Sequence, residues 1–286
     1  MNILSIQSWV AYGHVGNASA IFPLQRLGAE VWGIHTVQFS NHTGYGHWTG
    51  EVFSGDMIRC LVDGIEARGV LPECDAVLSG YMGDVAIGRA VLDAVARVRA
   101  ANARALYCCD PVIGDDNTGV YVRPGILEFL AETALPAADI ATPNRFELER
   151  LTGICCATLA GARSAAQSLA DRLHPAGPRI VLLTSLKTEE TPAGYLDMLV
   201  GEAGSFHLLR TPLLPLEING TGDAIAALFL FHRLALGSSP AALQAAGSSL
   251  HGILRHTAAL GSRELLTVAA QCELVNPGII FVPIPL

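Results

Sequence analysis

The sequence predicts an α/β fold, in the form of a three-layer α-β-α sandwich around a mostly parallel central sheet. Short apolar runs alternate along the chain with longer segments in which apolar residues recur at helical spacing. Such alternation builds βαβ units, whose helices cover both faces of a parallel sheet. The chain has 286 residues, of which 51% are hydrophobic and 15% are charged, so it can bury a substantial core. We therefore expect one domain over residues 1–286, with a small lid at about residues 38–54.

The predicted elements follow one another in a regular order. Apolar runs predict the first strands, which are Asn2–Gln7, Glu30–Val37, Asp75–Ser79, Arg104–Cys109, Asp139–Thr142 and Arg179–Thr184. Helical spacing predicts the helices between them, which are Asn17–Leu27, Gly55–Arg68, Val85–Ala101, Asn144–Thr152 and Leu159–Leu173. A hairpin and two long helices are predicted next, namely Gly194–Val200 with Ser205–Leu209, then Gly222–Leu236 and Ala241–Leu260. Because ligands bind beyond the carboxyl ends of parallel strands, the residues that follow each strand are the candidates for function.

Charge and cysteine usage restrict the classes of partner. The chain has 18 basic and 26 acidic residues, a formal charge of −8, which argues against binding to nucleic acid or to an anionic membrane. No apolar run reaches the roughly 18 residues that a membrane span needs. The first predicted strand is not preceded by the basic region of a signal peptide, so we expect none. Seven cysteines without Cys-x-x-Cys spacing favour a reducing, cytoplasmic setting.

The chain contains a single lysine, Lys187. A phosphate-binding loop of the Walker type needs Gly-Lys-Ser or Gly-Lys-Thr, and Leu186-Lys187-Thr188 does not supply it. An enzyme that holds its cofactor on a lysine aldimine would have to use this one residue. Any chemistry on ATP therefore requires another scaffold.

The segment Asn219-Gly220-Thr221-Gly222-Asp223 runs into the apolar stretch that begins at Ala224. This pattern is typical of a glycine turn that opens a helix, and it leaves backbone N–H groups free to bind anionic oxygens. One interpretation is an ordinary helix N-terminus with a stabilising acid. The other is a phosphoryl-transfer site, in which Asp223 takes a proton from a hydroxyl while the N–H groups stabilise the transferred charge.

Two acids close to the ends of predicted strands also have two interpretations each. Glu147 lies three residues after Asn144, the spacing of a capping box, but it would also suit a hydrated Mg²⁺ at the ligand edge. Asp110 is either a turn former after its strand or a contact to magnesium or phosphate. Asp115 and Asp116 are expected to be solvated loop acids, unless one of them reaches the water shell of the metal.

Two glycine-containing segments predict a pocket for a small molecule. Gln7 to Asn17 joins the first strand to the first helix without the Gly-x-Gly-x-x-Gly pattern of dinucleotide sites, and the Ser8 hydroxyl is available for a directional hydrogen bond. Residues 38–54 have no helical pattern and mix aromatic with hydrogen-bonding groups, which suits a lid that stacks on a flat heterocycle. His42 and His47 lack the spacing of a zinc site.

Taken together, these segments resemble the ribokinase-type family and, within it, the pyridoxal kinases. The matching motifs occur in order over most of the chain, from about residue 2 to residue 236. They are Gln7-Ser8, Gly13–Asn17, Thr36–Tyr45, Leu78–Tyr81, Cys109–Val112, Thr142–Asn144 with Glu147, and Gly220–Asp223. The Val37–Tyr45 stretch is specific, whereas the Gly-Thr-Gly-Asp turn marks only the wider superfamily.

The resemblance implies a ribokinase-like kinase domain that phosphorylates the 5′-hydroxyl of pyridoxal with ATP, as in vitamin B6 salvage. It assigns the catalytic base to Asp223 and an anion hole to Gly220, Thr221 and Gly222. The vitamer pocket that it implies is formed by Ser8, Thr43, Gly44, Tyr81 and Asp223. The implied ATP site comprises Asp110, Thr142, Glu147, Thr184, Ser185, Thr211, Pro212, Leu213 and Leu214, with Asp110 and Glu147 on the Mg²⁺ side.

The resemblance also implies a homodimer and, as in some members of the family, a monovalent cation. The sequence departs from the family at Trp9, where histidine is common, so the preferred vitamer is left open. Two alternatives remain. The same scaffold serves hydroxymethylpyrimidine kinases, whose substrate is also a flat heterocycle with a hydroxymethyl group, and a vitamer-binding protein without turnover would retain the pocket.

Overall fold

A computed structural model describes residues 1–286, and its centre is a ten-stranded sheet. The strands of this sheet are β1 Asn2–Val10, β2 Glu30–Phe39, β3 Gly50–Val52, β4 Cys74–Ser79, β5 Leu106–Cys109, β8 Ile140–Ala141, β9 Ile180–Leu186, β10 Tyr195–Glu202, β11 Ser205–Pro212 and β12 Ile284–Pro285. A separate hairpin is formed by β6 Gly114–Asp115 and β7 Gly119–Val120.

The order of the strands places the candidate residues at one edge of the sheet. The order is β12-β11-β10-β9-β8-β5-β4-β1-β2-β3. Strands β9, β8, β5, β4, β1 and β2 are parallel to their neighbours within this set. Strand β3 is antiparallel at one side, and β10, β11 and β12 are antiparallel at the other. The carboxyl ends of the parallel strands therefore share one edge, where ligands bind in such sheets.

Helices cover both faces of the sheet. They are α1 Asn17–Arg26, α2 Gly55–Glu66, α3 Val85–Ala101, α4 Ile126–Phe129, α5 Leu135–Ala137, α6 Arg145–Thr152, α7 Leu159–Ala170, α8 Thr221–Leu236, α9 Ser239–Ala259 and α10 Cys272–Val275. One apolar core lies between the sheet and helices α2 to α7, and a second lies between the opposite face and helices α1, α8, α9 and α10. The predicted three-layer sandwich with a mostly parallel sheet is confirmed.

Several boundaries differ from the sequence-based prediction for identifiable reasons. Strand β1 extends to Val10 rather than Gln7, because Trp9 and Val10 pair with Gln38 and Phe39 at the end of β2. Strand β8 retains only Ile140–Ala141. Helix α8 begins one residue earlier than expected, at Thr221, because Gly220 caps it. Elements that were not predicted include the β6–β7 hairpin, α4, a π-turn at Leu130–Ala134, α5, α10 and β12.

The segment predicted as a lid contains the end of β2, a 3₁₀ turn at Thr43–Tyr45 and strand β3. Strand β3 pairs with β2 at the edge of the main sheet, and Trp48 packs on Phe39 with ring centroids 4.2 Å apart. The role of this segment as a lid stays a prediction. No helix in the structure combines the length and the apolar character that crossing a membrane requires.

Candidate active site

The turn before α8 is built around Gly220, which has a φ of 85° and caps the helix. A Cβ on this residue would collide with the carbonyl oxygen of His14, and the Ser19 hydroxyl donates a hydrogen bond of 2.7 Å to the Gly220 carbonyl oxygen. The turn is therefore locked onto the β1–α1 loop. Gly222 differs, because it is exposed and a Cβ there would meet no protein atom within 4 Å. The first N–H groups of α8 thus remain open to an anionic ligand.

Asp223 lies in the first turn of α8 and is half-buried. Burial raises the pKa of its carboxyl, while the backbone N–H groups of Gly16 and of Asp223 itself oppose the rise. Gly16 in turn lies directly against the Ser8 hydroxyl and carbonyl oxygens. The structure therefore brings Asp223 and Ser8 to the same glycine. A carboxylate whose pKa is raised towards the working pH is suited to accept a proton from a substrate hydroxyl.

Asp110 is close enough to Glu147 and Asp223 for their charges to affect its pKa. Its side chain is buried, and its Oδ1 accepts a hydrogen bond of 2.8 Å from the Thr142 hydroxyl. Burial raises the pKa of Asp110 well above its usual range, and the negative charges of Glu147 and Asp223 raise it further. Uncompensated carboxylates in this position favour a bound cation, which would supply the missing positive charge.

Glu147 forms the capping box that its spacing predicts. The Glu147 N–H donates to Asn144 Oδ1 at 2.9 Å, and Glu147 Oε2 accepts from the Asn144 N–H at 2.9 Å. Its Oε1 also accepts a hydrogen bond of 2.8 Å from the N–H of Ile113, in the loop after β5. Burial raises the pKa of Glu147 to about 7 despite these bonds. Glu147 therefore has a structural role. Each carboxylate oxygen still has a lone pair that could accept from the water shell of a cation.

The donor set fits magnesium better than a metal held by protein alone. No group of three or more His, Cys, Asp or Glu side chains is arranged to hold a metal ion. Mg²⁺ needs only one or two carboxylates, since it keeps several waters and takes phosphate oxygens from its substrate. Asp116 is an exposed loop acid, as expected, whereas Asp115 ends the short strand β6 and is half-buried. Asp115 accepts hydrogen bonds from the N–H groups of Asn117 and Thr118, and Asp116 pairs with Arg145 at 2.9 Å.

A cavity of about 190 Å³ beyond β9 and β11 is lined by part of the predicted ATP site, whereas Asp110, Thr142 and Glu147 do not line it. Its lining includes all of Thr184, Ser185, Thr211, Pro212, Leu213 and Leu214, as well as Thr221 and Gly222 from the start of α8. Apolar side chains such as Met198, Ile225 and Leu250 complete its walls. Ser185 has a φ of 51°, a left-handed conformation that is uncommon for serine and that often occurs at binding sites. The cavity thus has an apolar body and an N–H-rich end.

The predicted vitamer residues do not line this cavity. Tyr81 packs against the small apolar cluster of Val10, Val15, Val37 and Phe39. Burial raises the pKa of the Tyr81 hydroxyl. Thr43 and Gly44 are exposed in the 3₁₀ turn, and a Cβ on Gly44 would lie 3.8 Å from the side-chain nitrogen of Asn219. The 3₁₀ turn at Thr43–Tyr45, called the lid turn below, is therefore a neighbour of Asn219, the residue that precedes Gly220.

Trp9, at which the sequence departs from the family, packs against a residue of the neighbouring strand β2. Its ring packs on His35 with centroids 4.7 Å apart. His35 lies in turn 3.1 Å, from Nδ1 to Nδ2, from Asn17, which is buried at the start of α1. Trp9 therefore belongs to the contact between β1, β2 and α1.

Comparison with known proteins identifies the family. Residues 66–267 match the family model described as phosphomethylpyrimidine kinase. A protein of Granulibacter bethesdensis named pyridoxal kinase PdxY is 66% identical over 281 residues, which cover 98% of each chain. The chain belongs to the pyridoxal kinase family. A second pyridoxal kinase PdxY, from Deinococcus radiodurans, is 60% identical over 98% of this chain and 95% of its own.

A solved member of the pyridoxal kinase family has the same fold. Pyridoxal kinase from Leishmania donovani, determined in complex with ADP and pyridoxamine, superimposes with a TM-score of 0.90 and is 31% identical. The superposition covers 100% of this chain and 99% of the other. The sequence-based resemblance and fold class are therefore confirmed.

The structure adds residues near the site that sequence reasoning missed. Half-exposed Tyr121 follows β7, and partial burial together with the carboxylates of Glu147 and Asp223 raises the pKa of its hydroxyl. Gly16 separates Ser8 from Asp223, and Glu264 contacts both the lid turn and the β1–α1 loop. Of these three residues, only Gly16 lies within a motif that the sequence indicates. Tyr121 and Glu264 interact with residues that are distant in the chain, so no local pattern indicates them.

Proposed function

We propose that the protein transfers the terminal phosphoryl group of ATP to the 5′-hydroxyl of pyridoxal, which yields pyridoxal 5′-phosphate in vitamin B6 salvage. One observation carries the proposal. The Gly220–Asp223 turn borders both ligand regions, since Thr221 and Gly222 line the cavity while Asp223 lies next to Gly16, which packs against Ser8. The names of the relatives and the ligands of the Leishmania structure support the same reaction.

In this reaction Asp223 acts as the base that takes the proton of the 5′-hydroxyl. Its raised pKa brings it closer to the pH at which a proton is transferred, and its place at the helix start puts N–H groups beside the transferred group. Gly220, Thr221 and Gly222 provide these donors. Phosphoryl transfer requires mainly positioning and charge stabilisation, which is what such a turn offers.

The acids behind the turn are assigned to the metal side of ATP. Asp110 and Glu147 would hold hydrated Mg²⁺, which when bound neutralises charge on the phosphate oxygens. Thr142 fixes the Asp110 carboxylate through its hydroxyl. Thr184, Ser185 and the Thr211–Leu214 segment enclose the nucleotide in the cavity. Ser8, Thr43, Gly44 and Tyr81 are assigned to the vitamer, with the lid turn excluding water.

A coupled assay for ADP release that depends on added pyridoxal tests the proposal. We expect release with wild-type protein and Mg-ATP, and a loss of about 10²–10⁴-fold in turnover for Asp223→Asn, the range typical of a general base. Binding of pyridoxal to Asp223→Asn should remain close to wild type. Asp115→Asn, which also removes one nearby charge, is the matched control. Turnover of Asp223→Asn at the wild-type rate would remove this residue from its assigned role.

A hydroxymethylpyrimidine kinase is the second candidate, favoured by the description of the matching family model. Assays with pyridoxal, pyridoxine, pyridoxamine and hydroxymethylpyrimidine under the same conditions decide between the two. A vitamer-binding protein without catalysis would bind pyridoxal and release no ADP with any of them. The intact glycine turn argues against this last alternative.

Three further assignments stay predictions. A homodimer is tested by light scattering coupled to gel filtration. A monovalent cation requirement is tested by comparing rates in K⁺, Na⁺ and tetramethylammonium salts. A cytoplasmic location agrees with seven free thiols, and fractionation of cells checks it.

A further inference from the structure

One carboxylate joins the lid turn to the β1–α1 loop. Glu264 lies between α9 and α10, outside every motif discussed above. Its Oε1 accepts a hydrogen bond of 2.6 Å from the Tyr45 hydroxyl, and its Oε2 accepts one of 3.1 Å from the backbone N–H of His14. The partners are 219 and 250 positions away in the chain. Both oxygens of a single side chain are thus used to hold two separate loops.

The residues around Glu264 leave room for its carboxylate and pack against its partner Tyr45. Gly13 has a φ of 100°, and a Cβ at this position would collide with the Glu264 carboxylate. A side chain in place of Gly13 would therefore both strain the backbone and displace Glu264. On the other side, the guanidinium of Arg263 lies 5.0 Å from the centroid of the Tyr45 ring, within the range of a cation–π contact.

These contacts lead directly to the candidate active site. The carbonyl oxygen of His14 packs against Gly220, while its N–H is held by Glu264. Tyr45 follows Gly44, which lies beside Asn219. Glu264 is therefore one residue away from the anion-binding turn on one side and from the predicted vitamer residues of the lid on the other.

We propose that Glu264 is a positioning residue for the vitamer, which holds the lid turn and the β1–α1 loop together so that they enclose the substrate. The proposal rests on the proposed function. Glu264 touches no reacting group, and it acts through Tyr45 and His14. Because neither Tyr45 nor His14 lines the cavity that we assign to the nucleotide, the loss of both contacts should affect pyridoxal more than ATP.

Kinetics of Glu264 variants test this role. For Glu264→Ala we expect the KM for pyridoxal to rise about tenfold, the effect of losing roughly 1.4 kcal/mol of binding, while the KM for ATP stays within about twofold. Tyr45→Phe should show a smaller rise, and its effect should not add fully to that of Glu264→Ala, because both remove the same bond. Glu264→Gln should restore most of the affinity, since its amide oxygen can accept from His14 while its NH₂ donates to the Tyr45 hydroxyl oxygen.

Asp75→Ala is the matched control for these variants. Its carboxylate also accepts a backbone N–H, from Asn2 at 2.8 Å, but it lies at the opposite edge of the sheet. The control should leave both KM values unchanged. Equal increases in both KM values for Glu264→Ala, or no increase in either, would overturn the proposal.

A second measurement does not depend on catalysis. Chymotrypsin cleaves after aromatic residues, and Tyr45 and Trp48 are both in the lid segment. Cleavage within residues 43–49 should be at least about fivefold faster in Glu264→Ala than in wild type or Asp75→Ala, because local opening costs less free energy when a tether is removed. An unchanged cleavage rate would contradict the proposal that Glu264 holds the lid turn in place. If wild type releases no ADP with any vitamer, the proposed function fails, and this measurement still decides whether Glu264 holds the lid.

Discussion

The carbonyl oxygen of His14 packs so closely against Gly220 that the glycine cannot carry a side chain. Gly220 also has a φ of 85°, so an alanine there would suffer both backbone strain and a collision. We expect Gly220→Ala to lower the free energy of unfolding by about 2–5 kcal/mol, measured by urea denaturation, and to abolish phosphoryl transfer. Gly237→Ala is the control. Gly237 caps the other end of α8 with a φ of 66° and open space around it, so its change should cost only about 1 kcal/mol.

Gly222 tests whether a ligand, rather than the fold, requires a glycine. A Cβ on Gly222 meets no protein atom within 4 Å, so Gly222→Ala should leave thermal stability unchanged or slightly higher. The added methyl group would lie where the transferred phosphoryl group approaches, and kcat/KM should fall about 100-fold. Gly64→Ala, at an equally open position within α2, should raise stability by about 0.5–1 kcal/mol with normal kinetics. Normal kinetics for Gly222→Ala as well would show that no ligand approaches this residue.

Asp110→Asn should separate stability from activity. Asparagine keeps the oxygen that accepts from the Thr142 hydroxyl, and it removes a buried charge that Glu147 and Asp223 repel. Without divalent metal, the free energy of unfolding should therefore stay equal or rise by about 1–2 kcal/mol. The Mg²⁺ concentration needed for half-maximal rate should rise at least about tenfold, because one of two metal-side carboxylates is lost. The same Mg²⁺ requirement in Asp110→Asn and wild type would contradict the metal assignment, and Asp115→Asn controls for charge alone.

Leu214→Trp tests the cavity beyond β11. Leu214 is a half-buried part of the wall, and an indole in its place would occupy space that we assign to the nucleotide. The KM for ATP should rise about tenfold, equivalent to roughly 1.4 kcal/mol, with little change for pyridoxal. Leu236→Trp adds the same bulk at a residue that is 52% exposed near the end of α8 and outside the cavity, so its kinetics should be normal. A selective rise in the KM for pyridoxal would show that this cavity binds the vitamer rather than the nucleotide.

The parts of the fold that the sequence predicted are those with a local signal. The capping box of Asn144 and Glu147 is encoded within four residues, and it forms as expected. The extension of β1 to Val10 has no such signal, because it depends on pairing with β2. Strand β12 is similarly set by its pairing with β11, which lies far from it in the chain.

The candidate site shows the same division between local and distant information. The Gly220–Asp223 turn and Asp110 were recognisable because each follows or begins an element in its own segment. Glu264 was not, since its partners Tyr45 and His14 are more than 200 positions away. The contacts of Glu264 appear only in the folded chain, where segments far apart in sequence come together.

The hydrogen bond from Ser19 to Gly220 spans 201 positions of the chain. During synthesis the N-terminal strands and helices emerge from the ribosome first, and they can begin to fold before the rest. The loop after β1 must nevertheless wait for α8 before it has its partner. A chain that stops before α8 contains most strands of the sheet but lacks the Gly220–Asp223 turn. We therefore expect it to make no pyridoxal 5′-phosphate, a reactive aldehyde, so that activity arises only late in translation.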